Sequence, residues 1–162
     1  GKGTAYSFLG LAYLADGQYQ EAKFYLLESL EVFREYTTGW NIGRSLTYLG
    51  DAARLAGNET EAKDYYKEGL RASIEGLSIP IALDALLGLG YLQDQSGETE
   101  NAILLSFFVL NHPSSEVDAK VQAGQLFGNL EPKLTSEQIE TLCKTASEKT
   151  FDEIVEFALR AA

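Results

Sequence analysis

The 162-residue chain carries one cysteine, one histidine and no methionine. A single cysteine excludes an intramolecular disulfide framework and fits a reducing, cytoplasmic setting. A single histidine leaves almost no material for a histidine-based metal site, and no cofactor is expected. Basic residues are scarce, 13 Lys and Arg against 24 Asp and Glu, for a formal net charge of −11. That balance disfavours wrapping nucleic acid or docking on an anionic membrane. No run approaches the roughly 20 apolar residues of a membrane span, and no stretch reads as a secretory leader. The lack of methionine, residue 1 included, leads to the expectation of a piece of a longer chain. What remains, 45% hydrophobic and 23% charged, is a soluble globular composition.

Self-comparison gives a period of 40 residues. Leu9-Gly10 recurs as Leu49-Gly50 and Leu89-Gly90, and Gly17 as Gly57 and Gly97. Ala22 recurs as Ala62 and Ala102, and Leu30 as Leu70 and Leu110. Each unit reads as two helices. Tyr6, Leu9, Tyr13 and Leu14 share a helical face in the first, and Ala22, Tyr25, Leu26 and Leu30 share one in the second. Gly17, Gly57 and Gly97 fall where a left-handed residue ends a helix. Gly10 and Ala22 are small enough to let the two backbones approach. Trp40, between the first and second units, is expected to wedge between hairpins. Ser78-Ile79-Pro80 reads as the start of the third unit, with proline in the first helical turn.

The period stops after residue 113. Val117, Val121, Leu126 and Leu130 predict one helix of a degenerate fourth hairpin. Thr135 with Gln138, and Thr150 with Glu153, form capping-box patterns. They precede the apolar sets Ile139, Leu142, Cys143, Ala146 and Phe151, Ile154, Val155, Ala158. The expected fold is all-α: an alpha-alpha superhelix of stacked hairpins over 1–37, 38–77 and 78–113, with a helical C-terminal cap over 114–162.

Tyr6-x-x-Leu9-Gly10-x-x-Tyr13, followed by Gly17, Tyr19 and Ala22, resembles the tetratricopeptide repeat, with tyrosine where tryptophan is usual. The unit is longer than that family's usual one, implying longer helices, and Arg34 and Ile74 stand where a proline is common. The longer unit is similar to the C-terminal repeats of bacterial, LuxR-like transcriptional regulators of the signal-transduction ATPase type. Trp40-Asn41-Ile42-Gly43-Arg44-Ser45-Leu46 is similar to their inter-repeat joins. Leu110-Asn111-His112-Pro113 and the closing helix Thr150–Leu159 look like their chain ends. This resemblance implies a C-terminal sensor or interaction part, with Ala162 near the end of its parent.

In such a stack the first helix of each hairpin lines an inner, concave surface, the usual binding face. Its exposed flank is expected to carry Thr4, Ser7 and Leu11, then Arg44, Thr47, Asp51 and Arg54, then Asp84, Leu87, Tyr91 and Asp94. Arg44 and Arg54 would pair with a carboxylate, while Leu11, Leu87 and Tyr91 would supply apolar contact. The competing reading is a solvated face with internal pairs such as Arg54 with Asp51. Ser7 and Leu11 occupy the place of the first lysine–asparagine pair of the family's carboxylate clamps, which argues against that mode.

Catalytic material is thin. His112, before Pro113, reads as a turn residue, and Cys143 as a core thiol. Asp16, Glu21, Glu61 and Glu98 are spread along outer faces. Gly1-Lys2-Gly3-Thr4 and Gly88-Leu89-Gly90 lack the strand that a phosphate loop needs. The expected function is therefore a non-enzymatic protein-protein interaction module, with inducer sensing on the concave face as the alternative and an enzyme as a remote one. Partners are a protein, a peptide or other domains of a parent chain, and Phe8 or Leu11 on the first helix is expected to support self-association.

Overall fold

The computed structural model describes residues 1–36 and 39–161. Those residues form nine α-helices, one short 3-10 turn and no strand, so the fold is all-α as expected. The helices are α1 (Lys2–Ala15), α2 (Tyr19–Tyr36), α3 (Gly39–Leu55), α4 (Glu59–Glu75), α5 (Ile79–Gln95), α6 (Thr99–Asn111), α7 (Val117–Leu130), α8 (Ser136–Glu148) and α9 (Phe151–Arg160). The expected boundary at 37/38, and Ala162, lie outside the described residues. Two compact units arise, Gly1–Ala85 and Leu86–Ala162, dividing within α5.

In the first unit, α1–α2 and α3–α4 are antiparallel hairpins closed by the same device. Gly57 adopts φ +86°, and the Gly57 and Asn58 amides donate to Arg54 and Ala53 carbonyls at 3.0 and 2.8 Å. Gly17, at φ +76°, does the same for α1. Only glycine takes this left-handed geometry without steric cost, which is why it recurs at this column. Within each hairpin the helices nearly touch. A Cβ built on Gly50 would lie 2.6 Å from the Tyr66 ring, and one on Gly10 would lie 2.6 Å from Leu26 Cγ.

Packing continues from one hairpin to the next. Ala22, Leu26 and Leu30 of α2 join Leu46, Leu49 and Ala52 of α3 and Ala72 of α4 in one buried cluster. Burial of each leucine there contributes about 1.5–3 kcal/mol. Ion pairs Lys23–Glu61 and Arg34–Glu68 tie α2 to α4 along the outer surface. Trp40 does not wedge between the hairpins. Helix α3 already begins at Gly39, which places Trp40 on an open first turn, 42% exposed, with the Arg44 guanidinium 5.2 Å over its ring.

In the second unit, Gly97 (φ +79°) ends α5 and turns the chain into α6. Helices α7 and α8 pack on α6, and Phe151 of α9 lies 6.5 Å from Phe108 of α6. The capping boxes form as predicted. The Thr135 hydroxyl accepts from the Gln138 amide and the Gln138 side chain accepts from the Thr135 amide; Thr150 and Glu153 repeat the exchange. Ile154, Val155 and Ala158 make the buried side of α9. The expected face of α7 holds at Leu126 and Leu130 and fails at Val117 and Val121, which lie on the opposite side of the helix. Val117 and Val121 are exposed, and Ala119, Ala123, Leu126 and Leu130 form the inner face. Cys143 is half-buried and not a core residue.

Candidate binding face

Forty-residue equivalence sets four columns of side chains on the first helix of each hairpin: Thr4, Arg44 and Asp84; Ser7, Thr47 and Leu87; Leu11, Asp51 and Tyr91; Leu14, Arg54 and Asp94. Successive members of a helix are three or four residues apart, so each row is one stripe of one helix. Each compact unit holds its own part of these rows.

The α3 row is the most polar, and its members behave differently. Arg44 is exposed and stacked on Trp40. Thr47, expected on the exposed flank, is 3% exposed, and its hydroxyl donates to the Gly43 carbonyl one turn back at 2.8 Å. The reason lies across the hairpin, where Gly69 of α4 leaves so little room that a Cβ there would stand 3.0 Å from Thr47 Oγ1. Asp51 and Arg54 are joined through Tyr66 of α4. The Tyr66 hydroxyl donates to Asp51 Oδ1 at 2.6 Å and accepts from Arg54 Nε at 3.0 Å, while Arg54 Nη2 lies 3.7 Å from the same carboxylate oxygen. Burial pushes the Asp51 carboxyl above its usual range, against the opposing hydrogen bond from Tyr66 and the charge of Arg54. Burial, then the Asp51 charge, raises the Tyr66 phenol well above its ordinary value, so it remains a donor. The expected Arg54–Asp51 pair thus exists, and a fully buried tyrosine fixes both groups.

On α1, Ser7 and Leu11 are half-buried. Ser7 Oγ lies 2.6 Å from Ser29 Oγ of α2, which donates to the Gly3 carbonyl at 2.8 Å. Because that proton is committed, Ser7 is the donor to Ser29. Asp84, on the last turn of the first unit, is half-buried and makes an interaction of its own.

In the second unit Leu87 is only 4% exposed, so it packs and does not offer an open apolar contact. Tyr91 is half-buried. Asp94 Oδ1 lies 3.1 Å from Lys133 Nζ, a partner on the turn between α7 and α8 that spacing did not reveal.

The two residues with catalytic potential sit elsewhere. His112 Nδ1 accepts the Ser114 amide at 3.1 Å, and its ring lies 5.4 Å from Phe108 and 5.9 Å from Phe151. Burial, followed by Lys120, holds its pKa below the ordinary 6.5. Burial pushes the Cys143 thiol up, with Glu131 adding to it, so the thiolate nucleophile is disfavoured. No group of three or more His, Cys, Asp or Glu side chains arranged to hold a metal occurs among the described residues.

No curated protein matches the chain. Residues 2–75, the span of α1 to α4, match the family model of the Tetratricopeptide repeat. With two glycine-closed hairpins packed side by side in sequence order, that match supports a tetratricopeptide-repeat domain in this part of the chain.

Proposed function

We propose that the chain is a non-enzymatic protein-protein interaction module that holds an acidic peptide segment against α3. Tetratricopeptide repeats generally mediate protein–protein interaction and act as helical scaffolds, which supports the class of function. One observation favours α3: its exposed Arg44 is held over Trp40, while Arg54 is fixed by Tyr66 and Asp51. A guanidinium held by its neighbours loses less entropy when it pairs with a carboxylate than a free one does. Asp51 partly neutralises Arg54, so Arg44 carries most of the attraction. Within the first unit Leu11 remains a candidate for apolar contact and Ser7 and Asp84 for polar contact, while Tyr91 and Asp94 are candidates for a contact that the second unit makes on its own. The similarity of the longer unit to signal-transduction ATPase-type regulators supports a place in the C-terminal sensor part of such a cytoplasmic chain. No helix among the described residues is long and apolar enough to cross a membrane.

The experiment is selection of acidic peptides from a displayed library on the whole chain, followed by affinity measurement with Arg44→Ala and Trp40→Ala. Loss of Arg44 lowers affinity about tenfold, corresponding to about 1.4 kcal/mol, and loss of Trp40 lowers it less. Selected peptides that bind both variants as tightly as the unaltered chain contradict the assignment. Saturable stabilisation by a metabolite, lost with Arg44→Ala, would instead favour inducer sensing.

A further inference from the structure

Helices α1 and α3 are one element repeated forty residues apart, yet one flank of each meets a different environment. In α3, Ser45, Leu49 and Ala52 are buried, Leu49 completely, and Leu49 and Ala52 pack in the cluster with Ala22, Leu26 and Leu30 of α2. The same positions in α1 are Ala5, Leu9 and Ala12, and all three are exposed, Leu9 at 43%. Phe8 beside them is 68% exposed. Positions 5, 8, 9 and 12 make one continuous apolar stripe on a helix.

The charges repeat as well. Glu61 and Glu68 of α4 receive Lys23 and Arg34 of α2. Forty residues earlier stand Glu21 and Glu28, and neither carries an ion pair among the described residues. Phe24, 58% exposed, lies between them on α2. The first hairpin therefore repeats the apolar and acidic features by which the second hairpin receives α2.

We propose that this flank of α1–α2 is a docking surface for an amphipathic helical hairpin of partner chemistry like α1–α2 itself. The second helix of that partner lays small and leucine side chains on Ala5, Leu9 and Ala12. A lysine and an arginine eleven residues apart on it, spaced as Lys23 and Arg34 are, meet Glu21 and Glu28. The basic pair identifies the occupant. A second copy docking the same flank face to face would set Glu21 and Glu28 against their own counterparts, and like charges in contact oppose that pairing.

The test extends the whole chain by an in-register duplicate of residues 1–40, placed ahead of residue 1 so that linkage supplies a high effective concentration. The expected result is a rise in melting temperature of about 5 °C. Leu9→Asp in the original copy abolishes that rise, read against an unextended chain that carries the same substitution, because Leu9 is 43% exposed there and any cost to the hairpin itself is common to both. Lys23→Glu with Arg34→Glu in the added copy also abolishes it, and Glu21→Lys with Glu28→Lys in the original copy restores it. An extended chain that melts with the unextended one overturns the proposal, as does a rise indifferent to the charge reversals. A dimer of the unextended chain that Leu9→Asp dissociates overturns it too, in favour of a second copy.

Discussion

Gly50 and Gly90 occupy the same place in the 40-residue period but face different neighbours. A Cβ on Gly50 would press on the Tyr66 ring at 2.6 Å, and Tyr66 cannot yield without giving up Asp51 and Arg54. A Cβ on Gly90 would meet Leu105 at 3.5 Å, ordinary contact. Gly50→Ala should therefore destabilise by about 1–3 kcal/mol through overpacking. Gly90→Ala should be neutral or stabilise by up to about 1 kcal/mol through helix propensity. Denaturant titration of both variants checks this, and equal effects contradict it. His112 gives a second prediction at this scale. Its pKa is lowered on folding, so the unfolded chain takes up the proton first as pH falls. The contribution of this group to stability is complete above pH 6.5 and is lost as pH falls through 6.5 towards the folded value. Between about pH 7.5 and pH 5.5 the unaltered chain should lose more melting temperature than His112→Gln, which keeps an acceptor for the Ser114 amide. Equal losses in the two proteins would contradict the assigned environment.

At the scale of elements, the ends of helices are where local chemistry is most visible. Gly17, Gly57 and Gly97, and both capping boxes, were legible in sequence because a cap depends on residues within one turn. The end of α4 was not. Leu77 takes the left-handed conformation there, at φ +55° and 91% exposed, with the Leu77 and Ser78 amides donating to Ile74 and Ser73 carbonyls. A leucine in that geometry is strained and its side chain is unpacked, so Leu77→Gly should stabilise by about 1 kcal/mol. A lower unfolding midpoint for that variant would refute this reading. Periodicity gives the phase of a helix only where its apolar residues share one face, and the cover over each face comes from other helices. Hence Trp40, Val117 and Val121 proved exposed, and Thr47 and Leu87 buried. The Asp51–Tyr66–Arg54 network is not legible along α3 for the same reason: Tyr66 is on the opposite helix, beyond the reach of spacing within α3. Alignment of Tyr66 with Leu26 and Ser106 was the available signal, since a tyrosine in a column otherwise filled by leucine and serine needs a partner for its hydroxyl.

For the molecule as a whole, the 40-residue period was enough to establish an all-α chain of hairpins, because a repeated pair of helices can bury its faces only against its neighbours. The charge of −11 is concentrated where the fold keeps it wet, and ion pairs such as Lys23–Glu61, Arg34–Glu68 and Lys133–Asp94 link elements on the outside. Exposed pairs of this kind contribute little to stability individually. Against that acidic background Arg44 stands out, exposed on α3 and supported by Trp40. An acidic segment drawn to it gains specificity more than raw affinity, and its binding should weaken as salt rises. The most direct measurement is an NMR titration of the whole chain with a peptide selected from the acidic library. Shifts centred on Trp40, Arg44 and Arg54, which need about tenfold more peptide to saturate with Arg44→Ala, are the predicted result. Shifts confined to α2 and α4, or unchanged by Arg44→Ala, would contradict binding on α3.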